Sequence, residues 1–177
     1  MAQYARPDAD DTVASWTDKD GGGTLYTSID EASADDATTY IKSPDTGGND
    51  ACIVRLSDVS TPSAGNAYIK YTALVEDGGG GTAPDLKVEL LQGSTVKAST
   101  GTHSVDTGSF TAYSYTISDV SGISDWTDLK MRITMITNTG FGDVMKVTQA
   151  YLETQDAGGA SVTIAAIAMN TYRQMRG

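Results

Sequence analysis

The chain has 177 residues, a single cysteine and a net charge of −11 although only 20% of its residues are charged. A domain of this length buries roughly two-thirds of the surface its unfolded chain exposes, so a core without disulfides suffices, and one cysteine, Cys52, leaves no internal pair to form. The acidity argues against nucleic acid and an anionic membrane as partners. The apolar runs fall short of the roughly 18 residues a membrane helix needs, and residues 1–20 lack the basic start and apolar stretch of a secretory signal, which leads us to expect synthesis in a cytoplasm.

The first 45 residues are acidic and turn-rich, and Asp18-x-Asp20-Gly21-Gly22 looks at first like a calcium loop. An EF-hand loop starting at Asp18 needs a bidentate Glu at its twelfth position, which here is Ile29, so the segment reads as an acidic glycine turn. Residues 51–56 form a weak strand candidate in which Cys52 is a small buried hydrophobe. Residues 67–75 alternate cleanly: Ala67, Ile69, Tyr71, Ala73 and Val75 face a core, and Tyr68, Lys70 and Thr72 face out. Asp77-Gly78-Gly79-Gly80-Gly81 is a loop, without the Lys and Ser/Thr of a phosphate-binding loop. Residues 86–90 repeat the alternation with Leu86, Val88 and Leu90 inward, against Lys87 and Glu89. Gln92-Gly93-Ser94 suits a tight hairpin into a strand at 95–99.

Residues 110–117 are a further strand, and 117–126 are expected to hold a helical turn capped by Asp119 or Ser121. In 129–135, Leu129, Met131, Ile133 and Met135 point inward, against Lys130, Arg132 and Thr134. After Thr139-Gly140-Phe141-Gly142-Asp143 comes a last strand at 146–153. This spacing of strands, with no convincing helix between them, predicts an all-β fold, an antiparallel sandwich over residues 1–154. Residues 155–160 read as a glycine-rich hinge, and 161–177 as a C-terminal extension. That extension is either one more edge element of the same domain or an arm docking on a neighbouring subunit. In the second case Val162, Ile164, Ile167, Met169, Tyr172, Arg173 and Arg176 are the partner-binding residues.

No catalytic, cofactor or metal site emerges. His103, with Ser104 and Asp106, supplies triad residue types, but sequence neighbours do not converge as a triad does. One His and one Cys cannot make a zinc ligand set. Nothing singles out two carboxylates as a glycosidase pair. Aromatic candidates for gripping a sugar ring are Trp16, Trp126, Tyr68, Tyr113 and Tyr115, with the two tryptophans read as core.

One ordered series remains: Arg6-Pro7-Asp8, Trp16, Leu25-Tyr26, Ile29-Asp30-Glu31, residues 35–41, and Ser43-Pro44. Leu56-Ser57-Asp58-Val59, residues 126–132 and Ala150-Tyr151-Leu152-Glu153 continue it. Over residues 4–154 it resembles a jelly-roll β-sandwich domain of structural proteins of tailed bacteriophages. The resemblance implies a jelly-roll sandwich and a non-enzymatic virion role, most readily a capsid decoration (cement) protein, or else a tail-associated one. Its partners would be the major capsid protein and copies of itself. Jelly rolls also serve as carbohydrate-binding modules, for which the partner is a glycan.

Overall fold

A computed structural model describes residues 1–45, 48–62, 65–76, 78–79, 82–136 and 142–155. The strands are β1 (Ala2–Ala5), β2 (Pro7–Thr12), β3 (Thr17–Asp18), β4 (Ile41–Lys42), β5 (Asp50–Leu56) and β6 (Ala67–Glu76), then β7 (Asp85–Gln92), β8 (Thr95–Ser99), β9 (His103–Ser104), β10 (Thr111–Ile117), β11 (Leu129–Ile136) and β12 (Val144–Gln155). One sheet, A, runs β10-β6-β12-β4-β3 with β1 also on β12. The other, B, runs β2-β5-β11-β7-β8 with β9 also on β7.

With the short strands β1, β2, β3 and β9 set aside, the chain passes from sheet to sheet in the order A, B, A, B, B, A, B, A, and each four-stranded sheet interleaves early and late strands. That is an eight-stranded jelly roll. The one step that stays within a sheet is the β7–β8 hairpin. There Gly93, at φ +60°, makes the tight turn that a residue with a Cβ adopts only with strain.

The alternation of the sequence is realised in the core. Ala67, Ile69, Tyr71, Ala73 and Val75 of β6, Leu86, Val88 and Leu90 of β7, and Leu129, Met131, Ile133 and Met135 of β11 are all buried between the sheets. Trp16 and Trp126 close the two sides of this core, and Cys52 lies within it, where burial pushes its thiol pKa up and leaves it unreactive. Thr72, Glu89 and Thr134 depart from expectation: they point away from the core yet are buried. Each sits on an inner strand of its sheet, where long neighbouring side chains cover it; Glu89 lies beneath Arg132 and Lys87.

The helical turn expected in 117–126 is not formed. Asp119 instead accepts from the Ser121 amide at 2.9 Å, an aspartate turn that competes with the helix start. Among the described residues the helical element is a single 3-10 turn, Tyr26–Ser28. The segment carrying it, residues 13–40, leaves sheet B after β2 and lies along β12. β12 has a bulge between Val147 and Gln149. On its outer edge β4 pairs with Lys146 and Val147, and β1 with residues 152–155. Between them, Ala150 N donates to Ile29 O (3.1 Å) and Thr148 Oγ1 to Thr39 O (2.8 Å), so the loop completes the edge. The hinge at 155–160 falls, after Gln155, outside the described residues, as does the whole extension.

Candidate functional site

The outer face of sheet A carries the most developed surface. In β12, Ala150 and Leu152 face the core, so Gln149, Tyr151 and Glu153 point out. In β6 the same alternation turns Tyr68, Lys70 and Thr72 outward. The register lines them up across four strands. Tyr4, Glu153, Tyr68 and Thr116 form one row; Tyr151, Lys70 and Ser114 the next; Gln149, Thr72 and Ala112 the third. Lys70 pairs with Glu153 at 2.5 Å, which raises the lysine pKa, and stands 5.7 Å from the Tyr68 ring centre. Because β10 contributes only small side chains here, a groove of about 230 Å³ opens beside Lys70, Thr72, Ser114, Gln149 and Tyr151.

Arg6 ends this surface. Its guanidinium lies 5.5 Å from the Tyr4 ring centre and 5.1 Å from that of Tyr151, and the two rings meet edge to face at 5.9 Å. Its backbone is fixed by Ser57, which accepts from the Arg6 amide (3.0 Å) and donates its own amide to the Arg6 carbonyl (2.7 Å). Arg6 Nη1 donates to the Glu31 carbonyl, which also accepts from Gln149 Nε2 at 2.8 Å. The Glu31 carboxyl turns away to the Thr39 hydroxyl (2.5 Å), and burial raises its pKa. On the same face, past the bulge, Lys146 lies 4.7 Å from the Tyr40 ring centre and pairs with Glu76 (2.8 Å), beside a hollow of about 400 Å³. Chemically the face offers aromatic rings flanked by charged and amide groups, the mixture that holds a flat, hydroxylated ring.

The other sequence candidates lie elsewhere. His103 Nε2 is 2.6 Å from the Tyr71 hydroxyl, and the Tyr71 ring stacks on Tyr113 at 5.3 Å. Ser104 donates to Asp85 and Thr111 donates to Asp106, so the three triad-type residues do not converge. Tyr113 faces the inside of the sandwich, opposite Tyr71; Tyr115, opposite Ile69, alternates onto the same side of β10 and is partly exposed on this edge strand. Of the five aromatic candidates only Tyr68 belongs to the outer face. Asp18 accepts from the amides of Asp20 (2.9 Å) and Gly22 (2.8 Å), an aspartate turn. Among the described residues no three His, Cys, Asp or Glu side chains are grouped to hold a metal ion. Val162, Ile164, Ile167, Met169, Tyr172, Arg173 and Arg176 lie outside the described residues.

The sequence reading passed over Tyr4, Tyr151 and Arg6 as parts of this face. The alternation of 149, 151 and 153 around Ala150 and Leu152 was the available signal for Tyr151. Nothing local places Arg6 beside two touching tyrosines 147 residues apart in the chain.

No family model matches the chain, and no curated protein resembles it in sequence. Solved structures do share its fold. The arabinose-bound α-L-arabinofuranosidase MgGH51 matches with a TM-score of 0.53 at 12% identity, over 81% of this chain and 23% of that one. The Stig cyclase FisC from Fischerella sp. TAU matches with a TM-score of 0.50 at 14% identity, over 89% of this chain and all of that one. A mutant of the family 29 carbohydrate-binding module CBM29-2 aligns with a TM-score of 0.43 at 13% identity, over 93% of this chain and 99% of that one. At these identities the likeness concerns the β-sandwich fold.

Proposed function

We propose that this chain is a non-catalytic jelly-roll binding module whose ligand is a glycan, held on the outer face of sheet A. The observation that carries the reading is the register of that face: Tyr4, Tyr68 and Tyr151 stand among Lys70, Gln149 and Glu153, and a shallow groove opens beside Tyr151, Lys70 and Gln149. Sugars present apolar C–H faces that pack on aromatic rings and hydroxyls that hydrogen-bond to the groups between them. A groove rather than a closed cavity suits a ligand that extends beyond the site. The reading is tested on a glycan array and by affinity electrophoresis. The native chain is expected to retain at least one class of soluble polysaccharide, and Tyr151→Ala to weaken retention at least tenfold with an unchanged circular dichroism spectrum. Absence of binding to any glycan would refute it.

The second reading is a virion structural protein, a capsid decoration protein before a tail-associated one. It is supported by the ordered series that resembles the phage domain. In the fold, however, several members of that series are occupied in construction. Asp10, between its first two members, caps the Leu25 and Tyr26 amides, Trp16 donates to Asp50 O (3.3 Å), Thr39 bonds both Glu31 and Asp35, and Ser43 accepts from the Met145 amide (3.0 Å). The resemblance therefore speaks first to how the domain is built. Finding the protein on purified particles by cryo-electron microscopy would favour this reading, and its absence from them would exclude it.

A further inference from the structure

We propose that Arg6 is the receptor for the carboxylate of an acidic sugar residue, a uronic or sialic acid, at the end of the tyrosine face. The inference rests on the glycan reading above and names the ligand class that this face would take.

Three observations converge on it. First, the guanidinium is built in. Its backbone is fixed at Ser57, its guanidinium rests beside the touching rings of Tyr4 and Tyr151, and one nitrogen is anchored on the Glu31 carbonyl. An arginine so held has lost most of its rotamer freedom before any ligand arrives, and its planar fork matches a carboxylate. Second, among the described residues no carboxylate pairs with that cation, whereas Lys70, the other cation of this face, is taken up by Glu153. Glu31, the acid nearest in the network, bonds Thr39 with its carboxyl and offers Arg6 only its backbone oxygen. Third, Tyr151 is shared: one side flanks Arg6 and the residue also lines the groove beside Lys70 and Gln149. A sugar ring lying in the groove would bring a substituent at its edge to the guanidinium.

The net charge of −11 opposes the approach of a polyanion at long range. At about 0.1 M salt, screening acts over ~10 Å, so contact at the site is governed by its own groups. Arg6 and Lys70 are the cations there, with Glu153 the one carboxylate on the rows described.

The experiment uses the full chain and two matched ligand pairs: polygalacturonate against its methyl ester, and sialyllactose against lactose. Calorimetric titration is expected to show at least tenfold tighter binding of the carboxylate member in at least one pair. Arg6→Lys keeps the charge but loses the fork, and should remove most of that preference. Tyr4→Ala, which leaves the Glu31 anchor in place, should lower the preference severalfold. Thermal melts establish that both variants are folded; if Arg6→Lys is not, Tyr4→Ala decides alone. Equal binding of both members of each pair, with Tyr151→Ala still abolishing it, overturns the role of Arg6 and leaves the glycan reading standing. Binding of neither pair, together with a blank glycan array, overturns both.

Discussion

Asp10 is the residue on which the first 45 residues turn. Its two carboxylate oxygens accept from the amides of Leu25 and Tyr26, each at 2.9 Å, at the start of the 3-10 turn that seats Leu25 and Ile29 in the core. Removing it leaves two amides without partners at a place where Leu25 is fully buried. Asp10→Ala is therefore expected to cost about 1–3 kcal/mol in urea unfolding, with an unchanged slope. A loss below about 0.5 kcal/mol would mean that water replaces the cap and that the loop is held by its β12 contacts. The same logic explains why the acid-rich start of the chain holds no metal cluster among the described residues: Asp10 and Asp18 are already engaged with backbone amides.

At the scale of elements, β7 and β11 show how a sheet face is tied together by charge. Glu89 stands opposite Arg132 in the ladder, accepts from its Nε at 2.8 Å, and lies 3.4 Å from Lys87. Burial by itself would raise the Glu89 pKa, but Arg132 and Lys87 together hold it below the ordinary value of 4.5. An acid whose folded pKa is depressed contributes its stabilisation above the ordinary value and loses it as the pH falls through the folded one. Glu89→Gln should therefore lower the melting temperature at neutral pH by about 2–4 °C, corresponding to about 1 kcal/mol. At about pH 2, where the native carboxyl is also protonated, the two proteins should melt together. A difference that persists in acid would mean that packing, not charge, carries the effect.

For the molecule as a whole, all eight strands of the jelly roll lie between Ile41 and Gln155. A chain ending at Gly158 is expected to fold with the melting temperature of the full chain to within about 2 °C, since loss of even 1 kcal/mol would shift it more. A large fall, or insoluble protein, would make residues 159–177 an internal element covering an edge of the sandwich. If the truncated protein keeps its stability but is lost from virus particles that carry the full chain, residues 159–177 are the docking arm of the virion reading. On the proposed glycan reading, by contrast, affinity would reside on the face of sheet A and should survive the truncation.

Period-two alternation determined the long strands β6, β7 and β11, their inward faces and, with the turn spacing, the antiparallel sandwich, because side chains of a half-buried strand must sort by polarity every second residue; it gave no sign of β1, β2, β3, β4 or β9. Residue type placed both tryptophans and Cys52 in the core, and turn chemistry placed Gly93 in its hairpin. The alternation could not reveal that Thr72, Glu89 and Thr134 are outward-pointing yet covered, since that depends on which strands flank them. Nor did it indicate that Asp119 would form a turn in place of a helix start. The outer face of sheet A was legible only in part. Tyr68 was visible as an exposed aromatic, but its row is assembled from β1, β12, β6 and β10, and within it Tyr4 stands opposite Glu153, 149 residues away in the chain. Local sequence fixes which way a side chain points; only the tertiary pairing of distant strands decides what stands beside it, and here that pairing brings the rings of Tyr4 and Tyr151 together beside Arg6.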